Sequence, residues 1–186
     1  MSKKPKAKLA MLLASDPLGN IGYKNSIPWR LEGDLPRFRK YTTGNVVIMG
    51  RSTHESLPGP LRDRIVIVLT RDPAFASEVH DPEANVYSAT SMTDAITLAQ
   101  TFGTEWIFLA GGAKVYEEGM GLVDTVFLTL VHKGPNQKYD TTVKNLNFDK
   151  DIWTRIGEQH VFEPDSLDGW YNRPSHTYYT FERIEK

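Results

Sequence analysis

The chain contains no cysteine among its 186 residues. That absence excludes a disulfide framework, catalysis by a thiolate and zinc sites built on cysteine, and it is compatible with a reducing compartment. A strong net charge is lacking too, because 22 basic and 23 acidic residues leave a formal charge of −1. We therefore expect neither nucleic acid nor a membrane surface as a partner.

Long hydrophobic runs are also missing. The apolar stretch Leu9–Ala14 behind the lysine-rich start is too short for a membrane span or a signal peptide. We expect a soluble, cytoplasmic protein with one domain over residues 1–186, of which residues 1–7 form a flexible basic tail. The five histidines show no metal-ligand spacing, so no metal site is predicted.

Short apolar runs alternate with helical patterns, which is typical of a layered α/β domain. Strands are predicted at 9–14, 46–49, 65–69, 85–88, 106–110 and 125–131, with a terminal hairpin at 153–161 and 177–183. Helices are predicted at 33–43, 50–56, 93–102 and 113–118. The predicted fold is a three-layer α/β domain with a mixed, mainly parallel sheet, flanking helices and an antiparallel C-terminal hairpin.

Three loops fall at the carboxyl ends of predicted strands, where ligands bind in such sheets. Ser15–Pro28 is long and polar, which is typical of functional loops. Gly50–Thr53 and Gly111–Ala113 each place glycine at a helix start, which suits a phosphate. Either could be only a turn, but together they indicate a ligand with more than one phosphate, such as a dinucleotide. Arg71 is a further cationic candidate or a solvated strand-end arginine.

Asp34 is the most informative residue. On a helix it shares a face with Leu35 and Phe38, whereas Arg37 and the basic residues after it are predicted on the other side. A carboxylate on an apolar stripe is expected to be partly desolvated, which favours proton exchange near neutral pH. The alternative is a carboxylate that only complements the helix dipole. Trp29 favours the first interpretation, because an indole beside a buried acid would form a pocket wall.

A set of motifs in fixed order resembles those of dihydrofolate reductases. They are Ile21-Gly22, Asn25–Trp29, Asp34-Leu35 with Phe38 and Thr42, Val47–Arg51 with Thr53, Leu69–Arg71, and Gly111-Gly112 with Val115-Tyr116. Their order and spacing agree from Leu9 to about Asp140. The resemblance implies an eight-stranded, mainly parallel sheet and an oxidoreductase that converts 7,8-dihydrofolate to 5,6,7,8-tetrahydrofolate with NADPH, in support of one-carbon metabolism and thymidylate synthesis. It also implies a monomer that binds antifolates such as methotrexate or trimethoprim.

The resemblance further implies roles for individual residues. Asp34 would be the catalytic residue, holding the pterin 2-amino group and N3 and promoting protonation at N5. Substrate would contact Leu12, Trp29, Leu35, Phe38, Leu61, Arg64, Ala110 and Thr129. NADPH would contact Ala14, Asn20, Ile21, Gly22, Ser26, Arg51, Ser52, Thr53, Thr70, Arg71, Gly111, Gly112, Ala113, Lys114, Val115 and Tyr116. Arg64 would pair with the substrate α-carboxylate, Arg51 and Arg71 would meet the 2′-phosphate, and Ser15–Pro28 would be a lid that Asp140 contacts.

Alternatives stay open at this point. The segment before Arg64 reads Gly59-Pro-Leu-Arg-Asp where the family has Leu-Pro-Gly, so Arg62 is a rival partner for the carboxylate. A riboflavin-pathway reductase of the same fold would act on a phosphoribosylamino-pyrimidine with NADPH, but Asp34, Phe38 and Arg64 better suit a flat heterocycle with a carboxylate tail. A nucleotide-binding protein without activity is the third interpretation.

Overall fold

A computed structural model describes residues 5–132, 138–163 and 174–184 of the chain. Part of the predicted basic tail, residues 1–4, lies outside these ranges. The strands are β1 Lys8–Ser15, β2 Asn20–Gly22, β3 Val46–Gly50, β4 Ile65–Leu69, β5 Val86–Ala89, β6 Trp106–Leu109, β7 Thr125–Val131, β8 Thr141–Thr142, β9 Trp153–Phe162 and β10 His176–Arg183. The helices are α1 Asp34–Thr42, α2 Arg51–Glu55, α3 Pro73–Val79, α4 Met92–Thr101 and α5 Ala113–Gly119.

Eight strands form one sheet in the order β5-β4-β3-β6-β1-β7-β10-β9. The strands from β5 to β7 pair in parallel, while β10 is antiparallel to both β7 and β9. The predicted fold class is therefore confirmed, including the C-terminal hairpin. None of the described helices is both long and apolar enough to cross a membrane.

Two features differ from the sequence-based expectation. Helix α3 was not predicted, although Asp72 caps it by accepting from the N–H groups of Ala74 and Phe75 and Pro73 stands at its first turn. The small sheet of β2 and β8 was also missed, because strands of three and two residues carry no measurable periodicity. Elsewhere the bounds differ from prediction by one or a few residues.

The sheet has two different faces, and β7 shows why. Val126 and Leu128 point into the larger core on one face. Phe127 points to the other face, where a smaller cluster of Ala10, Leu12 and Phe108 lies beneath α1. Because side chains alternate along a strand, Thr129 points to the same face as Phe127. Helix α1 therefore lies over the face that carries Thr129.

Aromatic side chains hold α1 on this face, and they also correct the predicted orientation of Arg37. Tyr41 stacks on Phe127 with ring centroids 4.5 Å apart. The prediction that Arg37 lies on the side of the helix opposite Asp34 is wrong. Arg37 is half-buried, and its guanidinium lies 5.2 Å from the Tyr41 ring centre and 4.3 Å from that of Tyr178. A guanidinium on a long apolar stem can cover aromatic rings, and Arg37 therefore occupies the side of α1 that faces the sheet. Leu35, predicted on the inner stripe, is 69% exposed.

Asn45 joins the end of α1 to the sheet. Its side-chain amide donates to the Tyr41 carbonyl at 3.0 Å, and its side-chain oxygen accepts from the Trp106 N–H at 3.0 Å. One side chain thus links the helix that carries Asp34 to strand β6.

We expect Asn45→Ala to lower the free energy of unfolding by about 1–3 kcal/mol, because a half-buried backbone N–H and a carbonyl lose their partner. Urea denaturation measures the change. The exposed Asn147→Ala serves as control and should leave stability within about 0.5 kcal/mol of the parent. Equal stability of the two variants would show that Asn45 does not anchor the helix.

Candidate active site

Asp34 begins α1, and its carboxylate is held by a hydroxyl from the sheet. The Thr129 hydroxyl donates to Asp34 Oδ1 at 2.6 Å, and Thr129 is only 1% exposed. Gly33, just before the helix, has φ +76°, and a Cβ at that position would lie 3.2 Å from Tyr178 Oη. Glycine is therefore needed for the turn that brings Asp34 over the sheet.

Arg37 and Tyr178 complete the surroundings of this carboxylate. Arg37 Nη1 donates to Thr129 Oγ1 at 3.4 Å, so the hydroxyl that donates to Asp34 also accepts from a cation. Tyr178 Oη donates to the Glu32 carbonyl at 3.3 Å. Burial, and next the nearby Asp34 carboxylate, raise the pKa of Tyr178 to about 12, so its phenol stays protonated at neutral pH. The sequence did not predict that Arg37 and Tyr178 surround the Asp34 carboxylate, because Tyr178 reaches this place only through the pairing of β10 with β7.

Trp29, which the sequence predicts as a pocket wall beside Asp34, is a buried side chain. Trp29 is 7% exposed, and its ring meets Tyr139 edge-on with centroids 5.7 Å apart. Among the described residues, its buried Nε1–H has no hydrogen-bond partner. A buried donor without an acceptor is costly, so this N–H suits a polar group of a ligand.

At the far end of α1, the structure distinguishes the two arginines proposed for the substrate carboxylate. Arg64 is half-buried, and its Nε is a buried donor without a partner in the described part of the chain. Burial, and next the like charge of Arg39, lower the pKa of Arg64. Arg62 is exposed. A carboxylate between Arg39 and Arg64 would relieve their repulsion, which favours Arg64 over Arg62.

A cradle of glycines lies beyond the carboxyl ends of β3 and β6. The Gly50 N–H donates to the Gly111 carbonyl at 2.7 Å, and Gly111 has φ +109°. A Cβ at Gly112 would lie 3.2 Å from Thr53 Oγ1. Glycine at both positions thus keeps the space beside the Thr53 hydroxyl open, which fits the backbone-to-phosphate approach of a dinucleotide.

Tyr116 connects this cradle with the Asp34 region. It is 7% exposed, and its hydroxyl donates to the Leu12 carbonyl at 3.0 Å. Burial, and next the charge of Asp34, raise the pKa of Tyr116, so it remains a neutral donor. A Cβ at Gly111 would lie 3.5 Å from the same hydroxyl. The two predicted subsites therefore meet at one buried phenol.

The predicted site residues differ in how far they are covered. Of the substrate set, Leu12, Trp29 and Thr129 are buried, Phe38, Leu61, Arg64 and Ala110 are half-buried, and Leu35 is exposed. Of the cofactor set, the buried residues are Thr70, Gly111, Val115 and Tyr116, and the exposed ones are Ser26, Arg51, Ser52, Arg71 and Lys114. The half-buried ones are Ala14, Asn20, Ile21, Gly22, Thr53, Gly112 and Ala113.

Hydrogen bonds hold both halves of the long loop Ser15–Pro28, which follows β1. Asp16 Oδ1 accepts from the N–H groups of Leu18 and Asn20, each at 2.9 Å. Further along, Asp140 Oδ2 accepts from the Lys24 N–H at 2.7 Å, and the Asp140 N–H donates to the Gly22 carbonyl at 3.0 Å. The expected contact of Asp140 with this loop is therefore present, whereas the role of Asp16 was not predicted.

Arg51, predicted to meet a 2′-phosphate, is engaged by two carboxylates. Its Nε lies 3.0 Å from Glu55 Oε1, and its Nη1 lies 2.8 Å from Asp72 Oδ2. Thr70, in the same predicted set, accepts from the Asp72 N–H at 3.2 Å. Sequence reasoning did not anticipate this charge compensation, because Asp72 lies 21 residues after Arg51.

The Asp140 contact has a pH dependence that can be measured. Hydrogen bonding from the Lys24 N–H lowers the pKa of Asp140 below its ordinary 3.8. A depressed pKa means that the ionised contact is fully present above 3.8 and is lost only as the pH falls through the lower, folded value. We expect the Lys24 amide proton resonance to titrate with a midpoint below 3.8.

At neutral pH, Asp140→Asn should shift the Lys24 amide resonance upfield and speed its hydrogen exchange, because the amide loses an ionised acceptor. Asp149→Asn is the matched control, since Asp149 accepts from a backbone N–H in a separate turn. An unchanged Lys24 resonance in Asp140→Asn would contradict the contact.

Comparison with known proteins agrees with this geometry. A family model described as dihydrofolate reductase matches residues 8–183. The type 8 dihydrofolate reductase of Escherichia coli is 34% identical over 180 residues, which cover 96% of this chain and 97% of that protein. A Staphylococcus aureus dihydrofolate reductase is 34% identical over 123 residues, which cover 66% of this chain and 70% of that protein. The structure is also similar to that of dihydrofolate reductase from Enterococcus faecalis complexed with NADP(H) and RAB-propyl, with TM-score 0.78, 26% identity and coverage of 96% and 97% of the two chains.

Proposed function

The chain belongs to the dihydrofolate reductase family, and from that premise we propose how its own residues divide the work of the reaction. The enzyme reduces 7,8-dihydrofolate to tetrahydrofolate with NADPH. NADPH supplies the hydride when bound, so the protein has to orient the two reactants and manage one proton.

One observation carries the assignment of Asp34. Thr129 donates its hydroxyl proton to Oδ1, so Oδ2 is left to accept from the substrate. The 2-amino group and N3 of the pterin form a donor pair that a carboxylate matches in geometry. Held there, Asp34 favours protonation at N5 through a water molecule at the edge of the ring. Trp29 shields the same place from bulk solvent.

The remaining substrate contacts are proposed from the family to which the chain belongs. The carbonyls of Leu12 and Ala110 face the amine side of the pterin. The side chains of Phe38, Leu35 and Leu61 line the channel for the aminobenzoyl group. Exposure of Leu35 supports this role, because an apolar side chain at the open cleft gains burial when the ligand covers it. Arg64 binds the α-carboxylate through two parallel N–H groups on one edge of its guanidinium.

The cofactor lies along the carboxyl ends of β1, β3 and β6 in this proposal. Thr53 and Gly111–Ala113 hold the pyrophosphate with hydroxyl and backbone N–H groups. Ala14 and the loop residues Asn20–Gly22 lie along the nicotinamide and its ribose, with Tyr116 beneath. Ser26 and the rest of the Ser15–Pro28 loop exclude water during transfer. Arg51 and Arg71 meet the 2′-phosphate, and the remaining contacts are proposed for Ser52, Thr70, Lys114 and Val115.

We also propose that the chain is one domain that acts as a cytoplasmic monomer. Antifolates such as methotrexate or trimethoprim would bind in the substrate cleft. Support comes from the Enterococcus faecalis relative, which was solved with RAB-propyl in addition to NADP(H).

Replacement of Asp34 by Asn is the decisive test. We expect turnover of dihydrofolate at neutral pH to fall by about 10²-fold or more, because the group that promotes protonation is removed. The loss of NADPH absorbance reports the rate. The exposed Glu32→Gln removes an acid two residues away and should keep parental turnover.

Near-parental turnover in Asp34→Asn would remove the assignment. NADPH oxidation with a phosphoribosylamino-pyrimidine but not with dihydrofolate would contradict the substrate. Binding of NADPH without any turnover would contradict catalysis altogether.

A further inference from the structure

Arg51 is already engaged by two carboxylates, which occupy two of the five N–H groups of its guanidinium. Its Nε and Nη1 point at the carboxylates of Glu55 and Asp72, at 3.0 and 2.8 Å. The ring of Phe75 lies 4.2 Å from its central carbon and covers one face of the guanidinium. A phosphate that approaches Arg51 must therefore share it with two carboxylates or displace one of them.

Asp72 is fixed in this position by the backbone as well as by Arg51. Its Oδ1 accepts from the N–H groups of Ala74 and Phe75 at 3.0 and 3.3 Å, while Oδ2 faces Arg51. The two N–H groups, and next Arg51, lower the pKa of Asp72, so it is ionised at neutral pH. Its negative charge therefore remains beside Arg51 whether or not a ligand is bound.

The charges of this region cancel. Arg51 and Arg71 contribute two positive charges, and Glu55 and Asp72 contribute two negative charges, so the sum is zero. A 2′-phosphate carries up to two further negative charges, whereas the 2′-hydroxyl of NADH carries none. The carboxylates thus oppose NADPH more strongly than NADH, because the two coenzymes share the charged pyrophosphate and only NADPH adds a 2′-phosphate.

We propose that Asp72 is a positioning residue that weakens the preference for NADPH over NADH by competing with the 2′-phosphate for Arg51. The inference rests on the proposed function, because it takes Arg51 as a ligand of that phosphate. It adds that the affinity of this subsite is limited by a carboxylate on the same surface.

The solvent exposure of the ion pair between Arg51 and Asp72 sets the size of the expected effect on NADPH affinity. The side chains of Arg51 and Asp72 are 43% and 46% exposed. Exposed ion pairs are weak, so Asp72 reduces the affinity for NADPH without abolishing it. We expect its neutralisation to tighten NADPH binding by about three- to fivefold at low salt.

The test uses the full-length enzyme and the variant Asp72→Asn, which removes the charge and keeps a side chain that caps helices equally well. Dissociation constants of NADPH and NADH are measured by calorimetry without substrate. The control is Asp81→Asn, because Asp81 accepts from the N–H groups of Glu83 and Ala84 in the same manner. Glu55→Gln is a second variant, which removes the other carboxylate.

For Asp72→Asn we expect tighter NADPH binding and unchanged NADH binding. The difference in NADPH affinity between variant and parent should shrink near 1 M salt, where charges about 3 Å apart begin to be screened. Asp81→Asn should behave as the parent. NADPH binding that is unchanged or weaker in Asp72→Asn overturns the inference, as does an equal change for the two coenzymes. Tighter NADPH binding in Glu55→Gln alone would assign the competition to Glu55 and would also overturn it. If the parent reduces dihydrofolate but Asp72→Asn has the same preference for NADPH over NADH as the parent, only this inference fails. If the parent binds neither coenzyme, the proposed function fails as well.

Discussion

The hydrogen bond between Thr129 and Asp34 joins the two parts of the molecule on which the site depends. One partner belongs to the sheet and the other to the first turn of α1. Thr129 points toward α1 only because β7 pairs with β1 in a register that places Thr129 beside Ala14. A shift of one residue would turn the hydroxyl to the opposite face and would bring Leu128 or Leu130 beneath the carboxylate.

The parallel pairing of β6 with β1 and with β3 brings the two ligand regions together. Strands β1, β3 and β6 end side by side, so the Gly50 turn, the Gly111-Gly112 turn and the start of the long loop share one edge of the sheet. The Tyr116 hydroxyl lies between this edge and the Asp34 region and is bonded to Leu12. A pterin on Asp34 and a nicotinamide along Ala14, with its pyrophosphate in the cradle, would therefore meet near one buried, neutral phenol.

Much of this arrangement could be predicted from local sequence. Buried parallel strands such as Ile65–Leu69 are apolar throughout, and the helical spacing of apolar residues indicates the helix that carries Asp34. What local patterns missed was set by long-range contacts. Arg37 was predicted on the side of the helix opposite Asp34 because its charge marks a polar face, yet its guanidinium covers the ring of Tyr178, which belongs to strand β10. Asp16 and Asp72 acquire their roles only through turns and pairings that no periodicity encodes.

The distance from Asp34 to bound substrate tests the account most directly. A crystal structure of the enzyme with folate and oxidised NADP would give it. We expect Oδ2 of Asp34 to lie within about 3 Å of the pterin 2-amino nitrogen, while the Thr129 hydroxyl still donates to Oδ1. A carboxylate turned toward solvent, or a pterin held by other groups while Asp34 contacts only Thr129, would contradict it.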